Sequence, residues 1–262
     1  MKREGIHLGD AVIDVLINDA GCSSNTLVLL PSSQRDSLDF TPLAEALAAK
    51  CFRVLRPQPR GMGRSSAPPA HMTLHTLAED VAHVIDQLGG GRAIVAGHAF
   101  GHYVARMTDI DHPERVQGVV MLAAAARVFP PGLTDSLDAA ADPLCPASER
   151  LVHLQRAFFA PGNDASVWLT GWYPQWRSAY RQAGEFPPKD HWWPRAHAPI
   201  LDLQGAQDPW RPRSSAAEVR DALGDSVSIS VIEGASHALV PEQPAAVSAA
   251  ISGWSQRLAA RR

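Results

Sequence analysis

The sequence predicts an α/β fold: a doubly wound, mainly parallel sheet with a helical cap inserted late in the chain. Short apolar segments alternate with stretches of helical periodicity along most of the 262 residues, an order typical of such sheets. Several segments are continuously apolar, as expected of strands buried on both faces. The alternation stops after residue 129, which predicts a cap of residues 130–194 and a core of residues 1–129 and 195–262.

Apolar runs predict the strands, in chain order. A partly alternating strand over residues 11–18 is followed by a continuous apolar strand over residues 26–30. The later predicted strands cover residues 52–55, 92–96, 116–122, 199–205 and 227–232.

Helical spacing of apolar residues predicts the helices that separate these strands. Residues 39–50 show this spacing, and residues 74–88 form an amphipathic stretch that ends at three consecutive glycines. A helix follows the turn at residues 97–101, and residues 244–258 predict the last helix.

The most informative feature is the turn Gly97-His98-Ala99-Phe100-Gly101, which lies between a predicted strand and a predicted helix. Such a turn holds its central residue in a strained conformation with the side chain projecting outward, and it needs small residues on both sides. A nucleophile ordinarily occupies the centre. This chain has the methyl group of Ala99 there.

Two later loops supply an acid and a base in the order that such a turn requires. The strand at residues 199–205 leads to Asp208-Pro209-Trp210, and the strand at residues 227–232 leads to Gly234-Ala235-Ser236-His237. With these three motifs the chain resembles the α/β-hydrolase family over residues 25–125 and 197–257. The resemblance implies the α/β-hydrolase fold, with positions 99, 208 and 237 as the catalytic triad.

The resemblance also implies an oxyanion hole formed by the amides of Phe100 and Ser33. Pro31-Ser32-Ser33 stands where many relatives have His-Gly-X, so Ser32 and Ser33 are alternatively loop residues without a role. As the acid, Asp208 competes with a structural interpretation in which it starts the turn before Pro209. Asp135 and Asp202 are the carboxylates to consider next.

Four other polar residues near the motifs are interpreted as structural. His98 is predicted to pack under the turn, and His102 is predicted to have a structural role one helical turn later. Arg60 and Arg64 lie in a predicted loop, where a solvated role is favoured over binding of a substrate carboxylate.

Five of the seven tryptophans fall in the predicted cap. Large rings fill the small core of a cap, and they also line pockets for apolar ligands; the two interpretations are compatible. Two or three of the five are predicted to bind substrate together with Ser32. The five are Trp168, Trp172, Trp176, Trp192 and Trp193.

Ala99 has three interpretations. A deliberate Ser→Ala substitution would remove acylation and leave the binding pocket intact. Alternatively, the chain is a natural non-hydrolase on the same fold, either a binding protein or a catalyst that needs only the histidine, the acid and the oxyanion hole. The third interpretation is an enzyme that has lost its activity.

The predicted function is hydrolysis of a carboxylic ester or lactone of a mainly apolar or aromatic small molecule, through an acyl-enzyme on a serine at position 99. Hydrolysis of a carbon–carbon bond is the alternative within enzymes, and ligand binding without turnover is the alternative outside them. Haloalkane dehalogenases and epoxide hydrolases of this fold need an Asp nucleophile. If Ala99 replaces a serine, these two activities are disfavoured; if it replaces an aspartate, they remain possible.

Composition predicts a soluble, cytoplasmic protein. The resemblance implies a small molecule as its partner, and monomer and homodimer both stay open. A net charge of -3 favours neither nucleic acid nor an anionic membrane as a partner. The three cysteines are far apart and suggest neither a disulfide nor a zinc site. No signal peptide, membrane span, cofactor motif or metal-ligand spacing is predicted.

Overall fold

A single eight-stranded sheet organises the protein, as the sequence predicts. The computed structural model describes residues 1–9, 11–23 and 25–260, so positions 10, 24, 261 and 262 of the predicted core lie outside the described residues. The strand order is β1-β2-β4-β3-β5-β6-β7-β8. β1 and β2 pair antiparallel, β2 also pairs antiparallel with β4, and the other pairs are parallel. The strands are β1 (Lys2–Leu8), β2 (Ala11–Asn18), β3 (Asn25–Leu30), β4 (Phe52–Pro57), β5 (Ala93–His98), β6 (Val116–Leu122), β7 (Ile200–Gly205) and β8 (Val227–Ile232).

Helices cover both faces of the sheet. Side chains of β3, β5 and β6 alternate between two apolar clusters, which explains the apolar run within each of these strands. α2 and α3 pack on one face, and α1 and α10 pack on the other. The helices are α1 (Thr41–Ala48), α2 (Leu74–Leu88), α3 (Gly101–Asp111), α4 (Leu133–Ala141), α5 (Ala147–Ala157), α6 (Arg177–Glu185), α7 (Lys189–Trp192), α8 (Glu218–Leu223), α9 (Leu239–Glu242) and α10 (Pro244–Ala259).

β1 is the strand that the sequence analysis missed. Its residues KREGIHL are mostly charged or polar, and only Ile6 among them is buried. β1 forms the edge of the sheet and pairs with β2 alone. An edge strand needs little apolar character, so the pattern that identifies the central strands is absent here.

The prediction that no cysteines pair was wrong. Cys22 and Cys51 form a disulfide, with their Cα atoms 5.1 Å apart. They are 29 residues apart in the sequence, but β3 and β4 run parallel with Asn25 opposite Phe52, and this register places both cysteines at the same end of the sheet. Disulfides are typical of oxidising compartments. The cytoplasmic location therefore stays a prediction without support from the cysteines.

The segment between β6 and β7 contains α4 to α7 and lies over the carboxyl end of the sheet. A third apolar cluster joins this segment to the loops that follow β7 and β8, because Leu154 and Trp168 pack with Trp210 and Ala238. Within the described part of the chain, no helix has the length and apolarity needed to cross a membrane.

Trp192→Ala is expected to lower the free energy of unfolding by about 3–5 kcal/mol, the usual cost of truncating a large buried ring. Trp192 is 1% exposed, and its indole packs against Tyr103 and Trp193. Urea unfolding followed by circular dichroism measures the loss. Trp176→Ala is the control, since Trp176 is only half-buried and should cost less. Equal losses in the two variants would contradict this account.

Candidate active site

The turn between β5 and α3 has the strained geometry that the sequence predicts. Ala99 has a φ of 47°, a left-handed conformation that residues other than glycine rarely adopt. Its amide donates to the carbonyl of Leu122 at 3.0 Å, and its carbonyl accepts from the amide of His102 at 3.0 Å. These bonds fix the residue from both sides, so its Cβ has a defined direction.

Two glycines allow this turn to form. A Cβ atom at Gly97 would lie 2.1 Å from the carbonyl carbon of Gly101, and one at Gly101 would lie 2.3 Å from the carbonyl oxygen of Leu30. Both clashes are with backbone, which cannot move aside. The close packing of α3 on β3 and β5 therefore requires glycine at both positions.

The predicted acid and base meet in a buried pair. His237 Nδ1 lies 3.0 Å from Asp208 Oδ2 and 3.2 Å from Oδ1. Asp208 Oδ1 also accepts from the amide of Trp210 at 2.8 Å. Because the carboxylate accepts at Nδ1, the neutral imidazole carries its proton there and keeps a lone pair on Nε2. This is the tautomer that a general base requires.

Aromatic rings hold His237 in place. Trp210 stacks on the imidazole with ring centroids 5.2 Å apart, and Phe158 lies against it at 5.8 Å. His98 Nε2 donates to the carbonyl of His237 at 2.8 Å, which agrees with its predicted structural role. Trp168 in turn packs edge-on against His98.

A cavity of about 190 Å³ brings five of the predicted site residues together. Ala99, His237, Phe100, Ser32 and Ser33 all line it. Asp208 contacts it only through His237. Apolar side chains form much of the remaining wall: Ala125, Phe129, Leu137, Phe158 and Trp210.

The two predicted oxyanion-hole residues both lie at turns beside the cavity. Phe100 is the N-cap residue of α3, so its amide belongs to the group of helix-end donors that have no intrahelical partner. Ser33 lies in a tight turn that is closed by a bond from the amide of Arg35 to the carbonyl of Ser32 at 3.1 Å.

Ser32 lines the cavity, whereas the five tryptophans predicted to bind substrate lie elsewhere. Among the described residues, the cavity lining includes none of the five. Trp168, Trp192 and Trp193 are buried in apolar clusters. Trp172 and Trp176 are half-buried, and Trp176 Nε1 donates to the carbonyl of Gly61 at 2.8 Å. This placement favours the packing role over contact with substrate.

Two other charged residues considered from the sequence, Arg60 and Asp202, form buried ion pairs away from His237. Arg60 forms a buried bidentate pair with Asp80 at 2.6 and 2.7 Å, so the predicted solvated role of Arg60 was wrong, and Arg64 is exposed. Asp202 is fully buried and pairs with Arg211 at 3.0 Å. Burial raises the pKa of Asp202.

Asp135 lies in an outer groove of about 590 Å³ that borders the cavity. Of the three carboxylates considered from the sequence, only Asp208 bonds His237 in the described structure.

Sequence reasoning missed cavity-lining residues that are far in sequence from the predicted motifs. Phe129 and Phe158 come from either side of α4 and α5, and neither belongs to a motif. Trp210 had a local signal, since it follows Asp208-Pro209 directly. His102 also lines the cavity, although it was predicted to be only structural.

Stability should depend on pH through His98. Burial, reinforced by the neighbouring His237 and Arg35, lowers the pKa of His98 from 6.5 to about 3. Between these values the unfolded chain binds a proton that the folded chain excludes, so this contribution is complete above pH 6.5 and is lost as the pH falls towards 3. From pH 7 to pH 5 the loss amounts to about 2 kcal/mol.

His98→Gln isolates this effect, because the glutamine amide can still donate to the carbonyl of His237 but does not titrate. The free energy of unfolding, measured in urea at several pH values, should fall more steeply for the parent chain than for the variant. Identical pH profiles would mean that His98 is already protonated in the folded state at pH 5.

Comparison with known proteins places the chain in a family. The sequence model described as "Alpha/beta hydrolase family" matches residues 27–250. The putative carbamate hydrolase RutD of Azorhizobium caulinodans is 34% identical over 122 residues, which are 46% of this chain and 44% of that protein. The matched part thus spans less than half the length of this curated relative.

Solved structures of similar fold cover nearly the whole chain. A thermophilic esterase from Thermogutta terrifontis, with malate bound, has a TM-score of 0.79 at 23% identity over 98% of this chain and 99% of its own. The enol-lactonase from Burkholderia xenovorans LB400 has a TM-score of 0.78 at 21% identity over 97% of this chain and 100% of its own. Such low identities show the fold alone. The family match covers most of the chain, and the protein therefore belongs to the alpha/beta hydrolase family.

Proposed function

We propose that this site is that of a carboxylic ester or lactone hydrolase for mainly apolar or aromatic small molecules, in which a serine at position 99 supplies the nucleophile. The observation that carries the proposal is the buried His237–Asp208 pair, 3.0 Å apart, with His237 lining the same cavity as Ala99. The solved structures described as an esterase and an enol-lactonase support this reaction class by analogy.

In the proposed mechanism, which requires serine at position 99, His237 Nε2 takes the proton of the serine hydroxyl as its oxygen attacks the substrate carbonyl. Asp208 keeps the imidazole in the required tautomer and stabilises the imidazolium that forms. The amides of Phe100 and Ser33 donate to the oxyanion. The imidazolium then protonates the leaving alcohol, and His237 next activates a water that hydrolyses the acyl-enzyme.

The walls of the cavity support an apolar substrate. Phe129, Leu137, Phe158 and Trp210 offer apolar surface beside the reacting position. The outer groove shares Phe100, Phe129 and several other residues with the cavity, and it provides room for the part of the substrate that extends away from the ester. Residues 130–194 act as the cap over both spaces, with their tryptophans holding the cap in shape.

Ala99 has neither a proton to transfer nor a lone pair with which to attack. The chain as it stands is therefore expected to bind the ester without forming an acyl-enzyme. The test is to install the hydroxyl: Ala99→Ser should hydrolyse p-nitrophenyl esters and be labelled by a fluorophosphonate, while the parent chain does neither.

Ala99 itself favours a second candidate, a ligand-binding protein that uses the cavity without turnover. The two candidates differ in one result. If the Ala99→Ser variant folds and binds esters but neither hydrolyses them nor reacts with a fluorophosphonate, binding without turnover replaces the hydrolase proposal.

A further inference from the structure

Lys189 is a cation of the outer groove that plays no part in the proposed mechanism. It is the first residue of α7 and is half-buried. Its Nζ lies 5.0 Å from the centre of the Tyr103 ring and 5.9 Å from that of Trp193. Nζ also donates to the carbonyl of Arg127 at 3.2 Å. These contacts hold the ammonium group at the wall of the groove, because the faces of aromatic rings attract cations.

The wall beside Lys189 continues to the reacting position. Tyr103 lines both the outer groove and the cavity that contains Ala99. The lining residues common to the two spaces are Ser33, Phe100, Tyr103, Phe129, Thr134 and Leu137. A substrate whose ester lies at position 99 can therefore reach Lys189 along this shared wall.

The charge of Lys189 acts on the turn that contains Ala99. His102 is fully buried, and its Nδ1 bonds the carbonyl of Ala99. Burial, together with the cations Arg106, Arg211 and Lys189, lowers the pKa of His102 well below 6.5. A cation that disfavours a second positive charge at this place favours a negative charge near it.

Lys189 differs from the other basic residues of the groove because it has no carboxylate partner. The two arginines of the groove pair with carboxylates of the same groove, Arg177 with Asp138 and Arg181 with Glu185. Among the residues that the structure describes, none forms an ion pair with Lys189, and the carbonyl of Arg127 accepts from it. An ammonium group has three donors, so two remain for a ligand.

One acid of the groove is also without an ion pair in the part of the chain that the structure describes. Asp135 is exposed and lies in the first turn of α4, where the free amides of the helix end favour a negative charge. Asp135 thus has local stabilisation and contact with solvent. Lys189 is instead held against Tyr103, beside the cavity, so the unmatched charge nearest the shared wall is positive.

We propose that Lys189 binds a carboxylate of the substrate, at the end that extends away from the scissile carbonyl. This inference rests on the proposed function and narrows its substrate class to esters and lactones of apolar molecules that carry a carboxylate. The apolar walls receive the carbon skeleton, and the ammonium group receives the charged end. A carboxylate suits this place because it accepts strong, charge-assisted hydrogen bonds from the free donors of Lys189.

A series of half-esters tests the proposal on the chain as it exists. Monomethyl glutarate, monomethyl pimelate and monomethyl azelate place a carboxylate at increasing distance from the ester, and each is compared with the matching primary amide. Calorimetry should give at least one acid a roughly 5- to 30-fold lower Kd than its amide, the benefit of one half-buried hydrogen bond to a charged group. This preference should decline when sodium chloride is raised from about 0.02 M to about 0.5 M.

Lys189→Met separates the charge from the packing, because methionine keeps an apolar stem beside Tyr103 without the ammonium group. This variant should bind each acid no more tightly than its amide, whereas Lys189→Arg keeps a cation and should keep the preference. Lys50→Met is the matched control. Lys50 is an exposed lysine just before β4, at the opposite end of the sheet from the site, and its replacement should leave the preference unchanged.

Equal binding of acid and amide by the parent chain at every length, binding of none of these compounds, or a preference that survives in Lys189→Met would overturn the inference. If Lys189→Met does not fold, ¹³C NMR of the parent chain decides: the Cε resonance of Lys189 should shift with the preferred acid and not with its amide, and an unchanged resonance overturns the inference.

Hydrolysis by Ala99→Ser is measured separately, so that the two proposals can fail independently. Hydrolysis of acid and amide with equal kcat/KM rejects the role of Lys189 alone. Preferential binding of the acid without hydrolysis of any ester rejects the hydrolase proposal alone.

Discussion

Ala99→Ser is expected to raise kcat for p-nitrophenyl butyrate by a factor on the order of 10⁶ over the parent chain. Removing the nucleophile or the histidine of the subtilisin triad costs a factor of about this size, and the change proposed here is its reverse. The parent chain already has the buried His237–Asp208 pair and the turn that presents position 99. Under the proposed function, the reacting oxygen is the part that the substitution supplies.

The backbone supports this expectation. Ala99 already adopts a φ of 47°, so the strain of the turn does not depend on the hydroxyl and a serine adds one atom to an existing Cβ. Ala123→Ser is the matched control, because Ala123 is also a buried alanine with positive φ, at 45°. It should show no gain. Spectrophotometric turnover and fluorophosphonate labelling measure both variants, and a gain in Ala123→Ser would point to a contaminating esterase.

The central sheet and the pairing of Asp208 with His237 could be predicted because their signals are local. β3, β5 and β6 are buried on both faces, which makes each of them a continuous apolar run. Asp208 and His237 each follow a predicted strand, and parallel strands bring their carboxyl ends to one edge of the sheet. The order of turn, acid and histidine is what predicts the candidate site.

The cavity lining could not be predicted because tertiary packing sets it. Phe158 ends α5 and reaches His237 only because the cap folds back over the sheet. Trp192 and Trp193 are aromatic residues of the cap just as Phe158 is. Their rings, however, pack in the core beneath the cap. A count of aromatic residues does not distinguish these positions, since it carries no information on which side of a helix meets the cavity.

The structural role predicted for His102 also has a local signal. Its position one turn into α3 predicts a residue that packs against the turn, and its Nδ1 does bond the carbonyl of Ala99. That the whole ring is buried becomes visible only once the surrounding chain is placed.

In the Ala99→Ser background, Asp208→Asn is expected to lower kcat by about a factor of 10⁴, as the same substitution does in the trypsin triad. An asparagine can turn its amide towards His237 and donate to Nδ1, which moves the imidazole proton to Nε2. The ring then has no lone pair facing the serine. The amide of Trp210, which donates to Asp208 Oδ1 at 2.8 Å, favours the rotamer that keeps the asparagine oxygen on its own side.

Asp202→Asn is the control that separates the loss of the base from the loss of a buried charge. Asp202 is also a buried acid near the end of the sheet, but its partner is Arg211, at 3.0 Å. Its replacement leaves Arg211 without a full counter-charge and should lower the melting temperature, while kcat of the folded enzyme changes little. Asp208→Asn should do the opposite, with kcat falling and melting nearly unchanged. If Asp202→Asn instead carries the large loss in kcat, the acid of this site has been assigned to the wrong strand.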